Sequence, residues 1–254
     1  MKKITAIIPT FNEEANIEMA LQSVMWADEV LVVDSFSTDK TLEIARSFGA
    51  TILQRKFDTH AKQKNWAIEQ VQHEWIFILD ADEKVTPALK QEIKSILAQQ
   101  NLPFAAYQIR RDNYFMGQLV RYSGWQGDKV IRLFNKQNCR YEDKNVHEEI
   151  IANGKTGELK NRIEHYTYRG LAQYLQKFDQ YTWLGAKDRF PNHKPVTLFH
   201  LAGKPAFRFF KHYILQLGFL DGKVGFVISY MSAVSVFMRN LKLWRLQQGE
   251  KDKV

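Results

Sequence analysis

Short apolar runs alternate with amphipathic stretches along the first hundred residues. The apolar runs occupy residues 4–8, 30–33, 51–53 and 75–79. Apolar positions recur at helical spacing over residues 13–27, 37–45, 61–71 and 87–98. Short, continuous apolar runs are typical of strands that are buried on both faces of a sheet. The pattern therefore predicts an α/β fold in which helices cover a mainly parallel sheet.

Local signals indicate where the expected helices begin. Glu13 and Glu14 suit the positive end of the first helix, because the helix dipole favours acidic side chains there. Ser37 or Thr38 is expected to cap the second helix. Pro87 suits the first turn of the fourth helix, where its missing N–H group costs nothing.

The pattern changes after residue 105. Residues 105–112, 118–123 and 129–134 have the character of strands, separated by turns that are rich in glycine and asparagine. After Gln173 the chain becomes helical, basic and aromatic. We therefore expect a catalytic domain over residues 1–170 that ends in an α+β extension of the sheet. A helical extension over residues 171–254 would follow it.

Acidic and amide side chains follow three of the expected strands. Asp80-Ala81-Asp82 comes directly after the fourth strand, and an extended Asp-x-Asp would point both carboxylates the same way. Such a pair is a hard oxygen site for Mg²⁺ or Mn²⁺, and bound diphosphate oxygens would complete it. The carboxyl ends of parallel strands are also where ligands bind in such sheets.

The loops after the first two strands offer further polar groups. Asp34 can accept the imide N–H of a uracil ring, and Thr10 and Glu13 can hold a ribose. For Thr10 and Asn12, ordinary turn and helix-cap chemistry is an equally good interpretation. The sequence has no G-x-G-x-x-G after the first strand and no G-x-x-x-x-G-K-[ST], which disfavours a dinucleotide oxidoreductase and a P-loop phosphotransferase.

Three segments resemble a known family: IIPTFNEE, VVDSFSTDKT and ILDADE. Their order and spacing are similar to those of the inverting family 2 glycosyltransferases of GT-A fold. The resemblance implies that Asp34 binds the nucleoside base and that Asp80-Ala81-Asp82 binds the diphosphate and a divalent metal. DTHAKQKNWAI resembles the donor-binding helix of the family, where Lys62 or Lys64 would offset diphosphate charge. A solvated helix face is the alternative for both lysines.

The later segment KVIRLFNKQNCRYEDKNVHEEI, and residues 204–244, resemble one subgroup, the bacterial lipopolysaccharide core β-glucosyltransferases. This resemblance implies UDP-glucose as the donor. It implies a heptose of the lipid A-linked inner core as the acceptor. A polyprenyl phosphate is the alternative acceptor, although enzymes that use it usually carry hydrophobic spans long enough to cross a membrane.

An inverting transfer needs a base for the acceptor hydroxyl but no covalent nucleophile. The acidic cluster near residue 148 offers Glu148 as the first candidate and Glu149 as the second. His147 would bind the metal, orient the acceptor, or simply form a hydrogen bond near a turn. Arg132 would contact phosphate or pair with an acid. Ile151 stands where a zinc protease motif requires histidine, so HEEII is not such a motif.

The charge is unevenly distributed. The chain carries a net +8; residues 1–150 hold 19 Lys and Arg against 21 Asp and Glu, whereas residues 151–254 hold 17 against 7. The longest uncharged stretch, residues 224–238, is shorter than the roughly 20 residues that cross a bilayer. We therefore expect interfacial helices on an anionic membrane. Helical core packing is the alternative for these apolar residues.

These features predict a cytoplasmic protein that is peripheral on the cytoplasmic face of the inner membrane. The N-terminus has no apolar region of signal-peptide length, and the one cysteine, Cys139, excludes an intrachain disulfide. Two rival functions are a nucleic-acid-binding module and a non-catalytic membrane-bound scaffold. Nucleic acid is not expected, because no recognition motif is present and acidic loops would repel a phosphate backbone.

Overall fold

The computed structural model describes residues 1–142, 149–168, 170–192 and 194–249. The chain forms two compact units. The first consists of Met1–Asp112 and Asp128–His165, and the second of Asn113–Gly127 and Tyr166–Val254. The segment 113–127 thus lies in the second unit, and the later junction lies five residues before the boundary expected after residue 170.

Four of the described strands, β1 to β4 below, coincide with the four apolar runs of the sequence. They are β1 (Ile4–Thr10), β2 (Glu29–Asp34), β3 (Thr51–Gln54), β4 (Trp75–Ile78), β5 (Glu83–Val85), β6 (Ala106–Phe115), β7 (Gln118–Val120), β8 (Lys129–Asn135), β9 (Cys139–Tyr141), β10 (Ile150–Ala152), β11 (Thr156–Glu158) and β12 (Ile163–Tyr168). The order β3-β2-β1-β4 is parallel throughout, and β8 and then β6 extend this sheet antiparallel. The expected α/β fold with its α+β extension is confirmed.

Seven α-helices lie in the described residues. They are α1 (Ile17–Val24), α2 (Thr41–Ser47), α3 (His60–Gln70), α4 (Pro87–Leu97), α5 (Leu171–Arg189), α6 (Lys204–Phe210) and α7 (Gly222–Gln247). In the first unit they cover both faces of the sheet. Ile8 and Phe77 pack in the cluster that contains α1 and α4, whereas Ile7 and Ile76 pack in the cluster that contains α3. Burial on both faces is why these strands are continuously apolar.

Of the two predicted helix starts at Pro87 and at Ser37 or Thr38, only the first is confirmed. Pro87 begins α4 as predicted, and the Thr86 hydroxyl accepts the Leu89 N–H at 3.2 Å. The expectation that Ser37 or Thr38 caps α2 is wrong, because that helix begins at Thr41. The loop before it is instead held by side chains, which gives it a fixed shape at the end of β2.

The second unit is built around α7, which packs against α5 and α6. Lys242 of α7 is buried, and its ammonium donates to the Asp179 carboxylate at 2.6 Å and to the Thr182 hydroxyl at 2.8 Å, both on α5. The Asp221 carboxylate accepts the N–H groups of Arg121 and Tyr122 at 2.9 and 3.0 Å. The first set of contacts joins α7 to α5, and the second joins the start of α7 to the segment that follows β7.

One helical stretch of the described chain, Gly218–Gln247, is long and apolar enough to cross a membrane by length and composition. The core helix of a water-soluble protein meets the same criterion. Within α7, Ile228, Ala233 and Val236 are buried in the protein, whereas Phe226 and Tyr230 are exposed.

Candidate active site

Asp34 ends β2 and is fully buried. Its carboxylate accepts the Ser37 N–H at 3.0 Å, the Ser37 hydroxyl, and the Gln54 side-chain amide at 2.9 Å. These hydrogen bonds within the chain satisfy the carboxylate and fix its orientation. Asp34 therefore shapes the loop after β2, at the edge of the sheet where the first strand also ends.

The loop after β1 contacts the loop after β2. The Asn12 side-chain oxygen accepts the Thr38 N–H at 2.8 Å, and the Glu13 N–H donates to the Thr41 hydroxyl at 2.8 Å. Asn12 holds a positive φ of 54°, which asparagine tolerates better than most residues. Asn12 and Glu13 thus make turn and helix-end contacts, the alternative that the sequence left open for Asn12.

Thr10, the last residue of β1, differs from the neighbouring loop residues in its hydrogen bonding. Its side chain is buried, and its hydroxyl has no hydrogen-bond partner among the described residues. Buried hydroxyl groups in folded proteins are usually paired. The Thr10 hydroxyl is therefore a group that a bound molecule can satisfy.

The segment Asp80-Ala81-Asp82 is a turn, so the expectation that it is extended is wrong. β4 ends at Ile78, and the Glu83 N–H donates to the Asp80 carbonyl at 2.9 Å, which closes a turn over residues 80–83. The Asp80 N–H donates in return to the buried Glu83 carboxylate at 3.1 Å. Ala81 is buried between the two aspartates, whose carboxylates have different partners.

Asp80 lies among positive charges. Arg132 of β8 forms an ion pair with it, and the Lys64 ammonium is 3.7 Å from its other carboxylate oxygen. Burial by itself would raise the pKa of Asp80, but Arg132 and Lys64 outweigh it and hold the pKa well below the ordinary value. Burial would likewise lower the pKa of Arg132, whereas Asp80 and Glu83 raise it well above the ordinary value. Asp80 and Arg132 therefore stay ionised at neutral pH.

The two candidate lysines of α3 have different environments. The Lys64 side chain is 8% exposed, faces Asp80 and lies 5.1 Å from the centre of the Tyr141 ring. The Lys62 side chain is 45% exposed and pairs with Asp58 at 3.1 Å. Lys64 is therefore in the candidate site, and Lys62 is on a solvated helix face.

A cavity of about 380 Å³ opens at this cluster. Lys64, Asp80, Arg111, Arg132 and Glu149 are among the side chains that line it. Three of these carry positive charge, and Arg111 is itself held by Asp128 at 2.7 Å. The cavity can therefore accept a ligand with several negative charges, such as a diphosphate.

Asp82 has a partner that sequence reasoning missed. The His165 Nε2 atom of β12 lies 3.6 Å from the Asp82 carboxylate. Carboxylate oxygens suit Mg²⁺ and Mn²⁺, so Asp82 is better placed to hold such a cation than Asp80, which the cations Arg132 and Lys64 already neutralise. No cluster of three or more His, Cys, Asp or Glu able to hold a metal occurs in the described part of the chain.

Two of the expected site residues, His147 and Glu148, lie outside the described residues. Glu149, the second candidate for the base, is exposed and lines the cavity beside Asp80. Arg111, Glu83 and His165 were not singled out from the sequence. Glu83 directly follows the Asp-x-Asp segment, whereas nothing near Arg111 or His165 in the sequence marks them.

Comparison with known proteins identifies the family of this chain. Glycosyl transferase family 2 matches residues 5–180. An uncharacterized glycosyltransferase of Rickettsia typhi is 33% identical over 97% of this chain and 88% of that protein. The chain belongs to the family 2 glycosyltransferases.

Two further matches are more distant. The lipopolysaccharide core biosynthesis glycosyltransferase LpsC of Rhizobium meliloti is 24% identical over 93% of both chains. The crystal structure of Staphylococcus aureus TarS 1-349 in complex with UDP has a TM-score of 0.50 and 15% identity, and the match covers 99% of this chain and 94% of that one. The latter match supports the GT-A fold.

Proposed function

We propose that this chain is an inverting hexosyltransferase that transfers glucose from UDP-glucose to a heptose of the lipopolysaccharide inner core. The observation that carries the proposal is the cavity where Lys64, Arg132 and Asp80 meet at the carboxyl ends of the strands. The relationship to LpsC favours the lipid A-core acceptor over a polyprenyl phosphate.

The donor would lie along the edge formed by β1, β2 and β4. Asp34, already fixed by Ser37 and Gln54, would hold the loop that lies against the uracil base, and the Thr10 hydroxyl would gain a partner in the ribose. Lys64 and Arg132 would hold the diphosphate. Because they are anchored before the donor arrives, they need little reorganisation as negative charge builds on the departing UDP.

A divalent cation, Mg²⁺ or Mn²⁺, would be held by Asp82 and His165, with Asp80 nearby. When bound, it would neutralise charge on the leaving diphosphate. The 3.6 Å separation between the Asp82 carboxylate and the His165 Nε2 atom supports this part of the proposal. His147 stays a further candidate ligand from the sequence.

A glutamate would act as the base. Its carboxylate takes the proton of the acceptor hydroxyl, whose oxygen bonds to the anomeric carbon from the face opposite UDP. The bond from that carbon to the UDP oxygen breaks, and its electron pair leaves with the diphosphate. Glu148 is our first candidate and Glu149, at the cavity, our second.

We expect replacement of the base by glutamine to slow transfer by about 10²–10⁴-fold while UDP-glucose binding is retained. Glu148→Gln and Glu149→Gln form a matched pair for single-turnover assays, since each removes one carboxylate from adjacent positions. If both variants turn over normally, the base is a different residue.

The proposed donor is tested by calorimetry with UDP-, GDP- and dTDP-sugars, in Mn²⁺ and in EDTA. We expect UDP-glucose to bind best and only with metal. Lys64→Met should weaken binding by about tenfold or more, because it removes a buried charge next to the diphosphate. The matched variant Lys62→Met should bind normally. If the folded chain binds no nucleotide sugar, the result would favour the hypothesis of a non-catalytic scaffold.

The second unit offers a surface for the membrane that carries such an acceptor. Exposed apolar side chains are concentrated in residues 198–230: Leu198, Phe199, Phe207, Phe210, Leu215, Phe219, Leu220 and Tyr230. Exposed lysines, Lys211 and Lys223, lie among them. Because residues 151–254 are strongly basic, we propose that this surface binds the anionic cytoplasmic face of the inner membrane.

Co-sedimentation with phospholipid vesicles tests this location. We expect the chain to bind vesicles that contain phosphatidylglycerol, to bind less in high salt, and to bind pure phosphatidylcholine weakly. Phe207→Ser with Leu220→Ser should reduce binding. Leu171→Ser, an exposed leucine of α5 outside the surface, should not. Absence of vesicle binding would contradict the proposal.

A further inference from the structure

The second unit contains a cavity of its own, of about 260 Å³. It lies among α5, α7 and the segment around Trp125. Its wall is mostly aromatic, with rings from Trp125, Tyr168, Tyr174 and Tyr181, and hydroxyl groups from Ser232 and other residues. A size near 300 Å³ and an apolar wall with a few polar groups are typical of small-molecule sites.

Arg239 of α7 places a positive charge in this wall. No carboxylate lines the cavity among the described residues, and none of them forms an ion pair with Arg239. Its Nε atom is buried and lacks a hydrogen-bond partner. Burial, with the nearby charges of Arg189 and Arg208, lowers the pKa of Arg239 to about 10.

Arg239 is half-buried, and a guanidinium that is partly removed from water without an anionic partner destabilises the fold. Elsewhere in the same unit such charges are paired, as Lys242 is with Asp179. The partner that Arg239 lacks among the described residues is therefore an anion. Guanidinium groups bind phosphate and carboxylate through two parallel hydrogen bonds.

We propose that this cavity binds a sugar that bears a phosphate or carboxylate group, with Arg239 on the anionic group and the aromatic rings against the sugar. The C–H faces of sugar rings carry partial positive charge, which suits the negative faces of aromatic rings. This inference rests on the proposed function, because such a sugar would be part of the acceptor glycolipid.

Calorimetry on the full chain tests the site with glucose 6-phosphate, glucuronate, glucose and inorganic phosphate. We expect the charged sugars to bind more tightly than glucose or phosphate alone. Arg239→Met should weaken their binding by about 10–100-fold, which is the effect of losing a charge-assisted hydrogen bond. Arg245→Met, an exposed arginine of the same helix, should not change it. Ser232→Leu fills the cavity without removing a charge and should also weaken binding.

Thermal unfolding separates this effect from damage to the fold. Because Arg239→Met removes an uncompensated charge, we expect Tm to rise by about 2–4 °C while sugar binding falls. A second arm uses phosphatidylcholine vesicles with and without lipid A. If Arg239 is needed for binding to vesicles with lipid A, and glucose 6-phosphate does not bind, the site takes a lipid-linked sugar. If glucose 6-phosphate binds, the site takes a soluble sugar.

Two results would overturn the inference: equal binding by Arg239→Met and Arg245→Met in every arm, or inorganic phosphate binding as tightly as the charged sugars. UDP binding is measured on the same samples. If UDP binds and the charged sugars do not, the inference alone fails. If UDP does not bind to the wild-type chain, the proposed function fails as well.

Discussion

Asp82→Asn should lower the rate of sugar transfer by about 10²–10³-fold and abolish the metal dependence of UDP binding. Asparagine has nearly the same shape as aspartate but lacks the negative charge that, in our proposal, would hold a divalent cation next to His165. The loss should appear mainly in kcat, because charge on the diphosphate develops fully only as the bond breaks. Steady-state kinetics over a Mn²⁺ titration measures both effects.

Glu69→Gln is the control for Asp82→Asn. Glu69 is an exposed carboxylate on α3, so its replacement also removes one negative charge from the first unit. We expect normal rates and a normal Mn²⁺ titration. If Asp82→Asn retained full activity, or if EDTA left the wild-type rate unchanged, the proposed metal site would be wrong.

Arg132→Met should lower the free energy of unfolding by about 3–5 kcal/mol. Arg132 is the cation that Asp80 and Glu83 share, and the Glu83 side chain is 0% exposed. Methionine fills a similar volume, so the loss comes from the buried Glu83 carboxylate and the partly exposed Asp80 carboxylate, which both lose their main partner. Urea unfolding followed by tryptophan fluorescence measures it.

The difference in free energy of unfolding between the wild-type chain and Arg132→Met should become smaller as the pH falls from 7 to 5. In the wild-type chain the pKa of Asp80 is held below its ordinary value, so its contribution to stability is complete above about pH 4 and is lost only in stronger acid. Without Arg132, burial favours the protonated form of the Asp80 carboxyl. Because acid protonates this group, it reduces the cost of leaving Asp80 without its main partner.

Arg110→Met is the matched control. Arg110 pairs with Glu158 at 2.7 Å, but both side chains are more than one-third exposed, so we expect a loss of no more than about 1 kcal/mol. A similar loss in both variants would show that the buried cluster at Arg132 is not special. The two arginines of β8 and β6 thus separate buried from exposed ion pairing.

The hydrophobic pattern determined the α/β class because strands buried on both faces must be apolar along their length. Ile7 and Ile8 point to opposite clusters and are both buried, which only a sheet covered on both sides allows. The same reasoning predicted that Asp34 and Asp80 would follow strand ends. It failed at Asp80-Ala81-Asp82, where hydrogen bonds to Glu83 close a turn that no local propensity required.

By itself, then, the sequence determined the order of the first four strands and helices, the family through its three motifs, and the acidic residues at the strand ends. Only the tertiary structure selected Lys64 over Lys62, paired Asp82 with His165, and left the Arg239 Nε atom without a hydrogen-bond partner among the described residues. The physical reason is distance along the chain. Local pattern specifies elements, but residues separated by up to 83 positions meet only when packing of the whole chain brings their charges together.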